Sequence, residues 1–435
     1  MSVPKAKASP VIKLTIDLPL GDLRNPGKLV RKFQYKAMVN GGYIVRAELQ
    51  DPNSRMLNAM MENGYFEQVR TKPVDMIFQI KWGPDGSYPE SATQEGVVHL
   101  LSVSAKGGAP DVNYLEFIGV DPPSWYLNAG DAAGTAFKGR ISDVIKQVVN
   151  KYAPGVNVRV SQTKDSKENY WWMMRQDPKT FLGSLIDWSS GMTRSKTHWV
   201  VVPDNKDTLT FMEQADINST QRAYYKHTDP NTGRDTLVDW SFLADNALSL
   251  SNTKIITHGL SAISGQYLDK ITDKPEKKVY VKDQTTSAKK IAQVDQTQSY
   301  SKPPDSPPPQ GRDTVAGWTS IGAVPELYSA GDVGMEYGDY IDGRARNLYL
   351  HLTNMLFRAK FRVLGHGEWS TCYGLGTDTI FVRWYTSDGN PRPYFLNGNW
   401  LVYGYEHVVD LNNWWTDLYC ARFDYNSDAQ KVGGG

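Results

Sequence analysis

The chain has 435 residues, with 48 Lys and Arg against 47 Asp and Glu and a formal net charge of +1. That length accommodates two or three domains, each with its own core, and the balanced charge gives no reason to expect a nucleic acid or an acidic partner over the whole surface. No apolar run reaches the roughly 18 residues of a membrane span, the N-terminus lacks the apolar stretch of a signal peptide, and the cysteines, Cys372 and Cys420, are too few for a disulfide framework or a four-ligand zinc site.

The charge is unevenly placed. Lys5, Lys7, Lys13, Arg24, Lys28, Arg31, Lys32 and Lys36 face only Asp17 and Asp22, so residues 1–40 read as a solvated basic arm that docks on an acidic neighbour. Gly41-Gly42 opens a strand over Tyr43 to Leu49. Asp51-Pro52-Asn53 then starts a short helix carrying Met56, Leu57, Met60 and Met61, which Asn63-Gly64 ends. Apolar-rich runs follow at Val74 to Trp82, Gly96 to Ser104, Asn113 to Val120 and Trp125 to Leu127. Turn chemistry separates them at Gly83-Pro84-Asp85-Gly86, Lys106 to Pro110 and Asp121-Pro122-Pro123. Residues 41–135 are therefore expected to form one antiparallel unit with a single helix.

In the middle region, residues 136–268, Ile141, Val144, Ile145, Val148, Val149 and Tyr152 fall on one helix face, and Ala153-Pro154-Gly155 stops that helix. Val156, Val158 and Val160 alternate with Asn157, Arg159 and Ser161 as a half-buried strand does. Asp177-Pro178 supplies an N-cap acceptor and a proline at N1 for a second helix, with Phe181, Leu182, Leu185 and Ile186 as its stripe. Trp171-Trp172-Met173-Met174 reads as core or as a face that a partner covers. His198 to Val202 and Thr208 to Met212 flank Pro203-Asp204-Asn205 as a hairpin. A polar, Tyr-rich stretch runs to Asp239, and Ala247 to His258 and Leu260 to Tyr267 read as strands.

Composition changes from Asp269 to Asp313, where polar residues dominate and Lys302-Pro303-Pro304-Asp305-Ser306-Pro307-Pro308-Pro309 admits neither helix nor central strand. Residues 269–337 are expected to be a linker or insert. The last unit, residues 338–426, begins with a helix over Gly343 to Phe357 that carries Ala345, Leu348, Leu352, Met355 and Leu356. Strands follow at Ala359 to Leu364, Thr379 to Tyr385, Trp400 to Val408 and Trp415 to Phe423, and residues 427–435 form a tail. The fold class is α+β: two antiparallel β units with attached helices flank a helical middle segment.

The chemistry-bearing motifs are sparse. His366-Gly367-Glu368 has the His-x-Glu spacing of zinc deaminases, but its Pro-Cys-x-x-Cys partner is missing and Cys372 stands alone. Trp369, Trp384, Trp400, Trp414 and Trp415, with Glu368, Asp378, Asp388 and Glu406 nearby, raise a sugar cleft or a glycosidase pair. Strand positions for Trp384 and Trp400 and turn positions for Asp378 and Asp388 favour core and turn roles instead. No catalytic, cofactor-binding or metal-ligating residue is assigned.

Three stretches carry a family likeness. One is Asn150-Lys151-Tyr152-Ala153-Pro154, followed by Trp171 to Pro178 and by Phe181 to Trp188. Another is Gly343-Arg344-Ala345-Arg346 leading to Phe361-Arg362-Val363-Leu364-Gly365-His366-Gly367. The third is Trp400 to His407 with Trp415-Thr416-Asp417-Leu418-Tyr419. In these the chain resembles the baseplate hub proteins of contractile-tailed phages, akin to late-control protein D and to the hub part of type VI secretion spike proteins. The resemblance implies a homotrimer in which each chain contributes two tube-like, barrel-type β domains. Three chains then make a pseudo-sixfold ring between a sixfold tail tube and a threefold central spike.

The implied partners are the tube or tube-initiator protein, the spike, baseplate wedge proteins and the tape-measure protein, with phage DNA passing through the lumen. There is no membrane anchor, enzymatic turnover or cofactor in this picture, and the implied location is the virion tail after synthesis in the host cytoplasm. A lumen meant to let DNA slide should carry neutral or acidic strand residues, with Lys28, Arg31, Lys32 and Lys36 outside it. The competing classes are a tail-associated cell-wall hydrolase or glycosidase and a carbohydrate-binding adhesin. An enzyme should bring acids together in a cleft, whereas a hub should bury a threefold interface.

Overall fold

Strands account for most of the described residues in the computed structural model. It describes residues 11–17, 29–81, 93–107, 112–130, 134–160, 169–173, 176–189, 197–202, 208–213, 218–226, 237–244, 262–269, 274–281, 319–323, 327–328, 357–365, 375, 378–384, 397–410 and 414–422. The first half contains β1 (Val11–Ile16), β2 (Val30–Met38), β3 (Gly42–Pro52), α1 (Arg55–Glu62), α2 (Tyr65–Gln68), β4 (Asp75–Lys81), β5 (Thr93–Gly107), β6 (Val112–Val120), α3 (Pro122–Ala129), β7 (Thr135–Gly139), α4 (Ile141–Tyr152), β8 (Asn157–Val160), β9 (Asn169–Met173) and α5 (Pro178–Ser189). Then come β10 (Thr197–Val202), β11 (Thr208–Glu213), β12 (Asn218–Lys226), β13 (Leu237–Ala244), β14 (Ala262–Asp269), β15 (Lys274–Val281), β16 (Thr319–Ala323), β17 (Leu327–Tyr328), β18 (Phe357–Leu364), β19 (Asp378–Trp384), β20 (Gly398–Asp410) and β21 (Trp414–Arg422).

A mixed α+β architecture results, dominated by one 12-stranded sheet. Its order is β1-β4-β5-β6-β3-β2-β20-β21-β18-β13, with β19 also on β20 and β12 on β19. Every pairing in it is antiparallel except that of β12 with β19. The two ends of the chain meet where β2 pairs with β20, from Lys32 opposite Asp410 to Met38 opposite Gly404. Alternation then decides which side chains enter the core. Phe33, Tyr35 and Ala37 are buried, while Lys32, Gln34 and Lys36 between them are not. The Tyr35 ring lies 5.5 Å from those of Tyr43 and Phe78, 5.9 Å from Tyr405 and 6.3 Å from His407, so one aromatic cluster spans both halves. Each such ring buried adds about 1.5–3 kcal/mol, and the seam is thus a shared core rather than a contact between separate ones.

The basic arm needs correction. Residues 11–16 and 30–38 are strands of the large sheet, because the apolar members of VIKLTI and KFQYKA recur at every second position and find buried partners on β4, β3 and β20. A second correction concerns Asp121-Pro122-Pro123, read as a turn before a fourth apolar run. Asp121 is instead the N-cap of α3, its side chain accepting from Ser124 N at 2.7 Å, and the prolines occupy the first helical positions, where their missing N–H costs nothing. Strands β12 and β13 lie in the polar, Tyr-rich stretch up to Asp239 and just beyond it. Within the expected linker, Lys274–Val281 is β15, antiparallel to β14, and β16 and β17 are also strands. Ladder hydrogen bonds come from the backbone and do not require apolar side chains. The helix expected from Gly343 lies outside the described residues except for Phe357, which opens β18. The strand expected over Ala247 to His258, the proline run and the C-terminal tail lie outside them as well.

The middle region matches its periodicity. On α4 Ile141, Val144, Ile145, Val148 and Val149 are all buried, Asp143 sits in the first turn and Lys151 in the last, as the helix dipole favours. Gly155 follows with φ 90°, a left-handed stop. Asp177 caps α5, accepting from Thr180 N at 2.8 Å and from Thr180 Oγ1 at 2.7 Å. Phe137 of β7 stacks on Phe181 of α5 with ring centroids 5.8 Å apart. The buried Trp171 of β9 donates its indole N–H to Gly139 O at 3.3 Å, so this tryptophan belongs to the core. Strands β10 and β11 form the expected antiparallel hairpin, and β8 joins β11 in parallel.

Candidate functional site

With one face of the sheet closed by the core, the opposite face near the seam carries its chemistry. Register places Lys36 of β2 beside Glu406 of β20, Glu406 beside Asp417 of β21, Asp417 beside Arg362 of β18, and Arg362 beside Asp239 of β13. Basic and acidic side chains thus alternate across five strands, broken only by the adjacent pair Glu406 and Asp417. A second row runs Glu116, Glu48, Lys32, Asp410 over β6, β3, β2 and β20.

The two adjacent carboxylates are fully engaged. Arg362 donates to both oxygens of Asp417, Nε to Oδ1 at 2.6 Å and Nη2 to Oδ2 at 2.8 Å, and Lys360 Nζ lies 3.3 Å from Oδ2. Asp417 is buried, with 3% of its side chain exposed, whereas the Arg362 side chain is 32% exposed. Hydrogen bonding to this carboxylate raises the pKa of Arg362 further, so the fork stays charged over the whole usable pH range. Glu406 accepts from Gln34 Nε2 at 2.9 Å and from the Tyr419 hydroxyl at 2.6 Å. Burial, with the Glu406 carboxylate next, pushes the Tyr419 phenol well above its ordinary value, and the ring carries Lys36 Nζ 4.5 Å from its centroid. A glycosidase pair needs one acid held protonated and both free to reach substrate. Glu406 and Asp417 are instead spent on donors and cations.

The other residues considered for chemistry do not converge. Glu368, Asp388, His366, Cys372 and Trp369 lie outside the described residues. Asp378 is half-buried at the start of β19, opposite Asn218 of β12. Trp384 and Trp400 are core residues, Trp384 edge-on to Trp240 and Trp400 edge-on to Phe361. Trp414 stands 6.0 Å from the His407 ring and closes over Gly365, where no Cβ fits. Cys420 is a buried free thiol whose pKa burial raises well above the ordinary value, which makes it inert. Among the described residues no three His, Cys, Asp or Glu side chains group as a metal would require, and no helix is long and apolar enough to cross a membrane.

Burial also perturbs a carboxylate that the sequence presents only as part of a turn. Asp121 is fully buried, and burial raises its pKa to about 6 against the hydrogen bonds that favour its charged form. Oδ1 accepts from Ser124 N and Oδ2 accepts from Tyr43 N at 2.9 Å, so the carboxylate ties α3 to the start of β3. Asp-Pro-Pro ahead of an apolar run was the available signal. The charged row is likewise written as alternation in Lys32-Phe33-Gln34-Tyr35-Lys36-Ala37, masked by the density of lysines and arginines around it.

No family model matches the chain, and no curated protein sequence matches it. Solved structures do. The tail protein from Neisseria meningitidis MC58 superposes with a TM-score of 0.53 at 11% identity, covering 95% of this chain and 97% of that one. The fold is that of a phage tail protein. The 43 kDa tail protein of prophage MuSo2 from Shewanella oneidensis gives 0.51 at 10% identity over 96% and 98% of the two chains. A chain of the Francisella PdpA–VgrG complex gives 0.51 at 8% identity over 96% of this chain and 53% of its own length. At such identities the shared property is the path of the backbone, and no side-chain role transfers with it.

Proposed function

We propose that the chain is a structural baseplate hub of a contractile phage tail. In this reading it forms a trimer that adapts the tail tube to the central spike and makes part of the DNA conduit. The observation that carries the proposal is the tail-protein fold, shared over 95% of this chain and 97% of the Neisseria tail protein. The continuous sheet adds support. A first β unit, extended by β1 and β2, and a second around β18 to β21 meet at β2 and β20 in a single ladder, so three copies supply six units in three rigid pairs. Such pairs would present a threefold ring that approximates sixfold symmetry, with the middle region and the insert of residues 269–337 available for the spike, the wedges and the tape-measure protein. The work is mechanical: it consists of positioning neighbours and holding a passage open.

Light scattering over a concentration series should give a trimer, either for the protein alone or on adding its spike. A chain that stays monomeric beside the spike would count heavily against a hub. Turnover is not expected either. Incubation with purified peptidoglycan should release neither muropeptides nor reducing ends; release that Glu368→Gln or Asp378→Asn abolishes would move the protein to the hydrolase class.

A further inference from the structure

The polar face of the sheet is basic along β2 and β18; along β2 each cation lies beside an acid, and on β18 Lys360 and Arg362 do too, whereas Arg358 is in register with Leu243 and Ala421. Lys32 lies in register between Glu48 and Asp410, and Lys36 lies beside Glu406. Arg31 Nη1 is 3.9 Å from Glu48 Oε1. Lys360 and Arg362 share Asp417, and Arg362 also has Asp239 in register. Arg46, flanked in register by Gln34 and Ile118, is not matched in this way. At half-exposed acids such as Glu48, Glu406 and Asp410, unlike the buried Asp417, opposite charges on neighbouring strands contribute little to stability, so stability alone gives their matching no strong reason to exist. For a polyanion the same matching has a large effect. Duplex DNA carries a charge about every 1.7 Å, and each phosphate that a protein neutralises makes the affinity steeper in salt by a slope of about −0.9.

We propose that Glu48, Glu406 and Asp410 are charge-cancelling residues that let double-stranded DNA pass this face without adhering to it. The inference rests on the hub reading above and deepens it, because it names the residues that set the passage's grip on its cargo. It also revises the expectation that Lys32 and Lys36 stand away from the passage. They are on the sheet's polar face, and their carboxylate neighbours hold that face near neutrality. Each acid is half-buried on a strand, fixed by the ladder at the lysine it offsets, so a phosphate approaching Lys32 or Lys36 meets a carboxylate at the adjacent strand.

The test uses the full-length protein and a labelled 20-base-pair duplex, read by fluorescence anisotropy at about 50 mM salt, where phosphate contacts count most. The wild type should show no specific affinity. Glu48→Gln/Glu406→Gln/Asp410→Asn should bind at least about tenfold more tightly, with a log–log salt slope steeper by about 2 to 3, one unit for each cation released. Glu48→Gln/Asp410→Asn, which keeps the hydrogen bonds of Glu406, should move the same way by less and serves if the triple variant does not fold. Lys36→Gln/Glu406→Gln removes both partners and should leave affinity unchanged. A wild type that already binds as tightly as the triple variant, or acid-free variants that fold and gain nothing, would overturn the proposal. Light scattering on the same samples separates the two readings. Trimers without a gain keep the hub and remove the charge-cancelling role, whereas a gain in a protein that never trimerises even with its spike removes the hub, and with it the DNA passage, leaving only the charge cancellation.

Discussion

Replacing Arg362 with methionine is expected to lower the unfolding free energy by about 3 kcal/mol, the low end of what breaking a buried ion pair costs. The loss arises at Asp417 rather than at the arginine. Asp417 is buried and receives two charge-assisted hydrogen bonds from the guanidinium, whereas the Arg362 side chain is 32% exposed and can rehydrate. Methionine fills much of the arginine's volume but donates nothing, leaving Lys360 at 3.3 Å as the cation still beside the carboxylate. Asp417→Asn should cost less than Arg362→Met, because it removes the charge whose burial is the problem. The double variant should be more stable than the sum of the two losses predicts. Urea unfolding of the four proteins gives that cycle; strict additivity would show that the fork contributes no more than an exposed pair. The consequence reaches beyond β18 and β21, since Asp417 lies in register with Glu406, and Glu406 with Lys36 across the seam. Loosening Asp417 should therefore also raise hydrogen exchange in β2.

How far the fold could be read from the sequence follows from how local each signal is. Helix α4 is legible to its ends because six apolar residues and a stop all lie within one stretch, and five of those six residues are buried. Strands β3 to β6 and β18 to β21 were legible for the same reason, each having its own alternation between turns. The seam was not. Pairing of β2 with β20 joins residues some 370 apart, and nothing local in either strand names its partner. Residues 30–38 read as part of an arm because charge and period compete in the same residues: Lys32 and Lys36 are basic, but they also mark the exposed phase of a strand whose other phase is Phe33, Tyr35 and Ala37. Of the candidate site, the acid Glu406 was singled out as one of a possible catalytic pair. Its actual neighbours, Gln34, Tyr419 and Asp417, depend on register across three strands, which composition and spacing do not determine.

Asp121→Ala is expected to cost about 3 kcal/mol, with a pH dependence that identifies the cause. Two losses combine: the N-cap of α3, about 0.5–2 kcal/mol, and the acceptor for Tyr43 N–H, a buried donor whose orphaning costs about 1–3 kcal/mol. Asp121→Asn keeps an acceptor for Ser124 N but turns an NH2 toward Tyr43 N–H, so it should recover the cap alone. Gly42→Ala should act on the same group from the other side, because Gly42 has φ +68° and a Cβ there would collide with Asp121 Oδ2 and Ser124 Oγ. The sign of the pH effect follows from burial. Burial raises the folded-state pKa of Asp121 from 3.8 to about 6, so between those values the folded protein holds a proton that the unfolded chain has released. The resulting stabilisation is fully present below about pH 4 and is lost as pH rises through about 6, a span worth about 3 kcal/mol. The gap between wild type and Asp121→Asn should therefore be wider at pH 4.5 than at pH 7.5 in urea melts. An equal gap at both values would mean that Asp121 stays ionised throughout, and that the hydrogen bonds from Tyr43 and Ser124 outweigh its burial.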